Sequence, residues 1–323
     1  MSERPRPTPA QHGPTAESRL LPLSVAGLVC FTLATLLGYG LWYFFGTHER
    51  APRAATAEPV RQTAPEPPAS AATPAAPARL APAGELPVPA GEVSLGGEET
   101  GLPLRREFVE AFHVAETEVT NEQYREFVRA AGHRAPEGWE GGDFPAGAAL
   151  EPVTGVSRED AAQYCEWLSK ELGAEVRLPT EAEWELAARG RDGRKYPWGD
   201  EWDARAADVS EKRDGAWVKR GRVRAVRSFP AGRSPFGAYD MAGNVWEWVS
   251  DEARDEEGRP KRSEEGAALG VIKGGSVQEE RAFVSATSRF DEFPPTHRSQ
   301  LIGFRYVVVR GRASNQQDGP AGR

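Results

Sequence analysis

The sequence predicts an α+β domain with much irregular backbone, preceded by one transmembrane helix. Residues 20–46 are predominantly apolar and carry no charged side chain. Three capped helical patterns follow one another between residues 120 and 190. Beyond Gly190 the periodicity fades into short apolar pieces separated by glycine, proline and tryptophan. These observations favour an anchored domain in which helices come first and loops dominate the second half.

Composition narrows the classes of function. The net charge of −8 over 323 residues argues against a general nucleic-acid binder, which needs a basic face. The two cysteines, Cys30 and Cys165, are too few for a disulfide framework. Because Cys30 is expected at membrane depth, the two are not expected to meet.

The uncharged run from Leu20 to Gly46 predicts a membrane anchor. At about 1.5 Å per helical residue it is long enough to cross a hydrocarbon core about 30 Å thick. Aromatic residues 42–45 stand at its end, where an interfacial belt would lie. A cleaved signal peptide is the alternative, but its apolar region is usually about 7–15 residues and a small-residue cleavage site should follow it. We therefore predict an uncleaved anchor.

The segment after the anchor suggests where the domain is held. Residues 51–82 contain 12 alanines and 8 prolines, a composition that cannot bury a core and favours extended chain. Arginines on both sides of the anchor leave its orientation undecided. Because the extended segment 51–82 suits a domain held away from the outer face of the membrane, we predict a single-pass protein of a bacterial inner membrane with a periplasmic domain. The predicted boundaries are a tail at 1–19, the transmembrane helix at 20–46, an Ala/Pro-rich linker at 47–85, the globular domain at 86–311 and a disordered tail at 312–323.

Local signals place strands before helices in the globular domain. Residues 88–97 are typical of a short strand with a glycine turn, and residues 108–114 continue a strand-like pattern. The predicted helix caps are Thr120 with Gln123 in a capping box, Ser157, and Thr180 with Glu183 in a second box, while Gly173 and Gly190 end the second and third helices. Cys165 follows the apolar stripe of the second helix, so it is predicted to be a buried packing residue rather than a nucleophile.

A candidate metal site lies in the second half of the chain. Asp240 and Glu247 flank a tight turn around Gly243. This spacing lets two carboxylates and the intervening backbone carbonyls converge, and a hard cation such as calcium prefers that set of oxygens. The same spacing also fits a capped turn with two solvated acids, so by itself it only permits a site.

Five motifs occur in order along the chain: RLPTEAEWELAARG (177–190), YPWGD (196–200), FGAYDMAGNVWEWVSD (236–251), KGGS (273–276) and GFR (303–305). Together they closely resemble the formylglycine-generating enzyme family, also called sulfatase-modifying factors. The run EVTNEQYREF (118–127) fits the N-terminal part of that family, so the resemblance covers about residues 86–310. It implies a single α+β domain of the C-type-lectin-like, largely irregular kind, with bound calcium.

The resemblance also implies calcium ligands. Those of one ion fall at Asp240, Gly243, Val245 and Glu247, with Gly243 and Val245 serving through their carbonyls. Asp240 stands where the enzyme has asparagine, which preserves an oxygen ligand. A second ion falls near Asp208, Val209, Asp214 and Ala216. The spacing between the halves of that second site is shorter here, and the arginines at 220, 222, 224 and 227 are an alternative source of positive charge.

The chemistry of the family depends on two cysteines between GGS and GFR. They bind copper(I), which prefers soft thiolates, and with oxygen convert a substrate cysteine into formylglycine. Aligning the arginine before the Pro-Pro turn places the pair at about Arg281 and Ala286. No cysteine occurs in residues 166–323, so no shift of alignment restores the pair and no copper is expected.

Other residues offer weaker routes to catalysis. The histidines of the domain are His113, His133 and His297. Related sulfoxide synthases bind iron through histidines, but in a HxxxHxE pattern of an additional helical domain that this sequence lacks. The hydroxyl residues Ser285, Thr287 and Ser288 have no evident activating base. Neither an iron site nor a serine nucleophile is therefore predicted.

The predicted function is that of a membrane-anchored, non-catalytic family member. Its calcium-stabilised domain would bind a protein or glycan in the envelope, and residues 251–268, with 11 charges among 18, fit either a solvated loop or a protein-recognition surface. The alternatives are an oxidoreductase with a cysteine-independent metal centre and a pseudoenzyme that binds sulfatase-like peptides. The residues predicted to maintain the fold are Trp184, Trp198, Trp246, Trp248, Gly274, Gly275 and Arg305, the last in an ion pair whose partner the sequence does not identify.

Overall fold

The computed structural model describes residues 84–97, 100, 102–219 and 221–310. The predicted transmembrane helix, nearly all of the linker and the C-terminal tail lie outside these residues. Within the described part of the chain, no helix is both long enough and apolar enough to cross a bilayer.

The first of two four-stranded sheets joins distant parts of the chain. Its order is β1 (Glu85–Val88), β4 (Phe112–Ala115), β12 (Val307–Val309) and β5 (Glu175–Arg177), and all neighbours are antiparallel. The three valines of β12 match the β-branched residues that strands favour, and Val307 and Val308 are completely buried. The end of the domain therefore lies in the middle of a sheet that begins near residue 85.

The second sheet frames the candidate site. Its order is β10 (Arg289–Phe293), β9 (Gly270–Lys273), β8 (Trp246–Glu252) and β11 (Ile302–Gly303), with β11 parallel to β8 and the other pairs antiparallel. The sequence did not predict β8 and β9. All residues of β9 are buried, and the first half of β8 is buried or partly buried. Neither strand therefore shows the apolar–polar alternation of a half-exposed strand.

Two hairpins stand apart from the sheets. One consists of β2 (Gly91–Gly97) and β3 (Leu102–Val109), and the other of β6 (Glu211–Arg213) and β7 (Ala216–Lys219). Strand β2 buries Val93 and Leu95, whereas β3 exposes every residue from Pro103 to Phe108.

The three predicted helices are confirmed as α1 (Asn121–Ala131), α2 (Arg158–Leu172) and α3 (Glu181–Arg189). Each begins with a capping box, and in α2 the reciprocal partner is Asp160, an acid that the sequence analysis had not recognised in that role. The glycines at 173 and 190 end α2 and α3 as predicted. Cys165 is buried in α2, which confirms it as a packing residue.

The apolar core consists of two large clusters and a small one. The first surrounds stacked Tyr124 and Tyr164, whose ring centroids lie 5.6 Å apart, and such a pair contributes about 0.5–1.5 kcal/mol beyond its buried area. The second surrounds Trp184 of α3. Of the residues predicted to maintain the fold, Trp184, Trp248 and Arg305 are completely buried, Trp198 and Trp246 are half-buried, and Gly274 and Gly275 have positive φ angles of 94° and 79°.

Candidate functional site

The predicted calcium residues lie in the turn that leads into β8. Asp240 and Asn244 have φ angles of 60° and 58°, in the left-handed region that aspartate and asparagine tolerate better than most residues. The N–H of Gly243 donates to the carbonyl of Gly274 at 3.1 Å, so the KGGS motif holds the turn in place. Asp240, Val245 and Glu247 are all buried.

Arg305 of the GFR motif forms the centre of the site. Its guanidinium is completely buried, and its Nε and Nη2 donate to the two carboxylate oxygens of Glu247 at 2.7 Å each. The indole N–H of Trp184 donates to the same carboxylate at 2.8 Å. The remaining guanidinium contacts are to the carbonyls of Ala115 and Tyr239. Glu247 is thus the partner that the sequence could not identify.

Glu118 is a site residue that the sequence analysis missed. It is completely buried, and its Oε1 accepts a hydrogen bond from Asn244 Nδ2 at 3.0 Å. Its Oε2 has no partner among the described residues. The signal in the sequence is its position in the EVTN run, two residues before the helix cap at Thr120.

The site carries more negative than positive charge. Three buried carboxylates, Glu118, Asp240 and Glu247, surround the buried cation of Arg305. Burial raises the pKa of Glu118 well above its ordinary value, and the charge of Asp240 raises it further. Burial also raises the pKa of Asp240 to about 6, although the N–H of Arg227 and the charge of Arg305 oppose the shift. A proton or an added cation would relieve this excess.

The donors at the site suit a hard cation. Glu118 Oε2 is buried and accepts no hydrogen bond from the described residues, and oxygen is the ligand that calcium prefers. No three His, Cys, Asp or Glu side chains in the described ranges lie close enough to bind a metal alone. An ion here would therefore need backbone carbonyls as well, as the resemblance implies for Gly243 and Val245, and would share Glu247 with Arg305.

The residues predicted for a second ion have unlike surroundings. Asp208 and Val209 are buried, and Asp208 Oδ2 accepts a hydrogen bond from Arg224 Nη2 at 3.3 Å. Asp214 and Ala216 are exposed where strand β6 turns into β7. Arg224 thus supplies positive charge to one half of this set, and the second ion stays a prediction.

The segment where the family carries its cysteines is packed without a thiol. Arg281 is exposed and stacks over the ring of Trp202 at 5.5 Å from the centroid, whereas Ala286 is completely buried and donates its N–H to Lys195. Nearby, the hydroxyl of Ser285 contacts those of Thr287 and Ser288 at 2.9 and 3.1 Å. The thiol of Cys165 in α2 is buried, and burial raises its pKa, which disfavours a thiolate.

The three histidines lie in different settings. His133 Nε2 is 3.0 Å from Asp160 Oδ1, and the His297 ring stacks on Phe293 with centroids 4.0 Å apart. Burial lowers the pKa of His297. His113 lies on β4. Within the described part of the chain, none of them joins a cluster of potential metal ligands.

Comparisons with known proteins agree with the fold and motifs. Residues 70–310 match the family described as sulfatase-modifying factor enzyme 1-like domain. The formylglycine-generating enzyme of Streptomyces coelicolor is 32% identical over 249 residues, which cover 58% of this chain and 75% of that protein. The inactive C-alpha-formylglycine-generating enzyme 2 of Bos taurus is 31% identical over 278 residues, which cover 70% of this chain and 88% of that protein.

Two solved structures have a similar fold. PvdO from Pseudomonas aeruginosa aligns with a TM-score of 0.55 and 27% identity, covering 69% of this chain and 93% of that one. CarF aligns with a TM-score of 0.55 and 23% identity, covering 72% of this chain and 100% of that one. These two structures share the fold of this chain, and the sequence relatives named above include a protein named as an enzyme and a protein named inactive.

Proposed function

Because the chain belongs to the sulfatase-modifying factor enzyme 1-like family, we propose that it is a non-catalytic member that serves as a binding or structural module. The observation that carries this proposal is the missing thiol pair. Residues 166–323 contain no cysteine, and Cys165, the one cysteine of the described residues, is buried in α2. The similarity to a relative named inactive supports it further.

In this proposal calcium stabilises the domain. Asp240, Glu247 and the carbonyls of Gly243 and Val245 would hold the ion, with Glu118 as an additional donor. When bound, the ion would supply the positive charge that the buried carboxylates lack. The support for this step is the excess negative charge around Arg305 and the unpartnered Oε2 of Glu118. Its role is structural, so no reaction passes through it.

The proposed setting is the bacterial envelope, with residues 20–46 as the inner-membrane anchor and the domain on the periplasmic side. The partner would be a protein or glycan. Residues 251–268, called the arm below, support a protein partner: bridges between Arg254 and Pro260 and between Arg262 and Ala268 close two short loops, and most of the acids in this segment are exposed. Such an arm suits electrostatic recognition of a charged surface.

Metal analysis of the full chain in detergent micelles tests the proposal. We expect bound calcium, no stoichiometric copper or iron, and a melting temperature that falls when a chelator is added. Asp240→Ala should abolish the chelator effect, whereas Glu256→Ala, which removes an exposed acid of the arm, should retain it. Stoichiometric copper or iron would contradict the non-catalytic assignment and favour an oxidoreductase with a cysteine-independent metal centre.

A further inference from the structure

Strand β3 has an edge that nothing in the described residues covers. It pairs only with β2, in a two-stranded sheet. Leu104 and Phe108 are 70% and 61% exposed, the largest values among the large apolar side chains that the structure describes. An exposed edge strand with apolar side chains is a ready template for another strand.

The sequence of β3, LPLRREFV, is complementary to itself. When two copies run antiparallel with Arg106 opposite Arg106, Leu104 of each copy stands opposite Phe108 of the other. In the same register Arg105 stands opposite Glu107. Because side chains alternate along a strand, the apolar pairs share one face and the ion pairs share the other. Directly opposed apolar pairs and oppositely charged pairs both favour strand pairing.

We propose that β3 is a homodimer interface, in which two copies of this chain pair edge to edge about a two-fold axis at Arg106. Such an interface uses the same patch on both copies, so it closes and does not propagate into a fibre. Pro103 lacks an N–H and limits the pairing to the residues that follow it. The proposal is independent of catalytic status and of calcium.

One feature opposes the pairing. The two Arg106 side chains would face each other, and like charges directly opposite are destabilising. Each Arg106 lies 4.0 Å from Glu92 of its own chain, which offsets part of the repulsion. Both side chains of that pair are largely exposed, so the offset is incomplete and the dimer is expected to be weak.

Disulfide trapping tests the register in the full chain, in detergent micelles and in a Cys30→Ser background. Cys165 is buried and does not interfere. Directly opposite residues are about 4.5–5.5 Å apart at Cβ, so Arg106→Cys should form a linked dimer under mild oxidation. Leu104→Cys is the matched control, because two Leu104 positions would be about 13 Å apart at about 3.3 Å per residue. It should not link to itself, yet it should link to Phe108→Cys.

Charge reversal tests the same register without cysteines. Arg105→Glu and Glu107→Arg should each weaken self-association, since each places like charges opposite one another. A mixture of the two variants should associate, because both pairs between positions 105 and 107 then join opposite charges, while the Arg106 pair is the same as in the wild type. Arg106→Ser should self-associate more strongly than the wild type, because it removes the repulsion between the two Arg106 side chains. Light scattering on size-exclusion fractions measures each mass, and melting checks folding, since Arg105 also lies 3.6 Å from Glu181.

Two results would overturn the proposal. One is linkage of Arg106→Cys at no higher rate than Leu104→Cys. The other is a mixture of Arg105→Glu and Glu107→Arg that remains monomeric while Arg106→Ser is monomeric as well. In that case the arginines and Pro103 act only to keep the edge free of partners.

Discussion

Two buried ionic clusters of this domain differ in charge balance. The Arg305 cluster consists of Glu118, Asp240, Glu247 and Arg305, with three acids and one base. The Lys273 cluster consists of Glu181, Glu185, Lys273 and Arg289, with two acids and two bases. In it Lys273 Nζ lies 2.8 Å from Glu185 and 3.3 Å from Glu181, and Arg289 Nε lies 2.8 Å from Glu181.

The pKa shifts follow that difference. Burial raises the pKa of both Glu118 and Glu181, but the outcome is opposite. The charges of Lys273 and then Arg289 bring the pKa of Glu181 below its ordinary value, whereas Asp240 adds to the increase at Glu118. Both acids are buried, so the balance of charges around them, rather than burial, explains the opposite pKa shifts. The acids of the Lys273 cluster are matched by its two bases, whereas the acids of the Arg305 cluster outnumber its one base and would be neutralised by a proton or a cation.

Removing the central cation should affect the two clusters unequally. Arg305→Met leaves Glu247 without a cationic partner in the described structure, and breaking a buried pair costs about 3–5 kcal/mol. Lys273→Met leaves Arg289 beside Glu181 and Arg189 beside Glu185, so we expect a smaller loss of about 1–3 kcal/mol. Urea unfolding of both variants measures the difference. An equal loss would show that the clusters do not differ as described.

The pH dependence should separate proton from ion at the Arg305 cluster. The Asp240 pKa of about 6 lies above the value of about 3.9 in an unfolded chain. Protonation of Asp240 therefore stabilises the folded state when chelator keeps calcium away. This contribution to the free energy of unfolding is present in full below about pH 4, and about 2–3 kcal/mol of it is lost as the pH rises through 6.

Calcium would replace the proton above that range. Chelator should therefore lower the melting temperature at pH 7.5 and have little effect at pH 5. Asp240→Asn is the control, because asparagine does not titrate. In chelator this variant should lack the part of the pH dependence of stability that Asp240 contributes. A chelator effect of the same size at both pH values would contradict this account.

Neutralising one acid should have opposite effects in the two clusters. Glu118→Gln replaces an acid whose raised pKa already favours its neutral form, so in chelator it should melt no lower than the wild type, while its calcium affinity falls roughly tenfold, or about 1.4 kcal/mol. Glu181→Gln is the matched control and should melt lower under all conditions, because it removes a partner of Lys273 and Arg289. Calcium titration followed by melting checks both. A Glu118→Gln variant that behaves like Glu181→Gln would contradict the comparison.

The smallest effect is expected on the exposed arm. Arg259 is paired with Asp255 and Glu257, and its side chain is 70% exposed. Solvent and salt screen such pairs, so Arg259→Ala should leave the melting temperature unchanged within error. A clear decrease would mean that the arm packs more firmly than its exposure indicates.

Much of the fold was predictable because its signals are local. The three helix caps depend on contacts within three residues, and the structure confirms all of them. The order of the five motifs predicted the family, and the family match confirms it. Strands β8 and β9 were missed because buried strands lack alternation.

The sequence by itself determined the helices, the family and the loss of the thiol pair, since each depends on residue identity or short spacing. Only the tertiary structure decided the partners at the site. Arg305 reaches Glu247 across 58 residues, and Asn244 reaches Glu118 across 126. No local pattern encodes such pairs, because packing of the sheets and of the turn before β8 brings them together. Their burial in one place makes the excess negative charge costly, since water does not solvate it there.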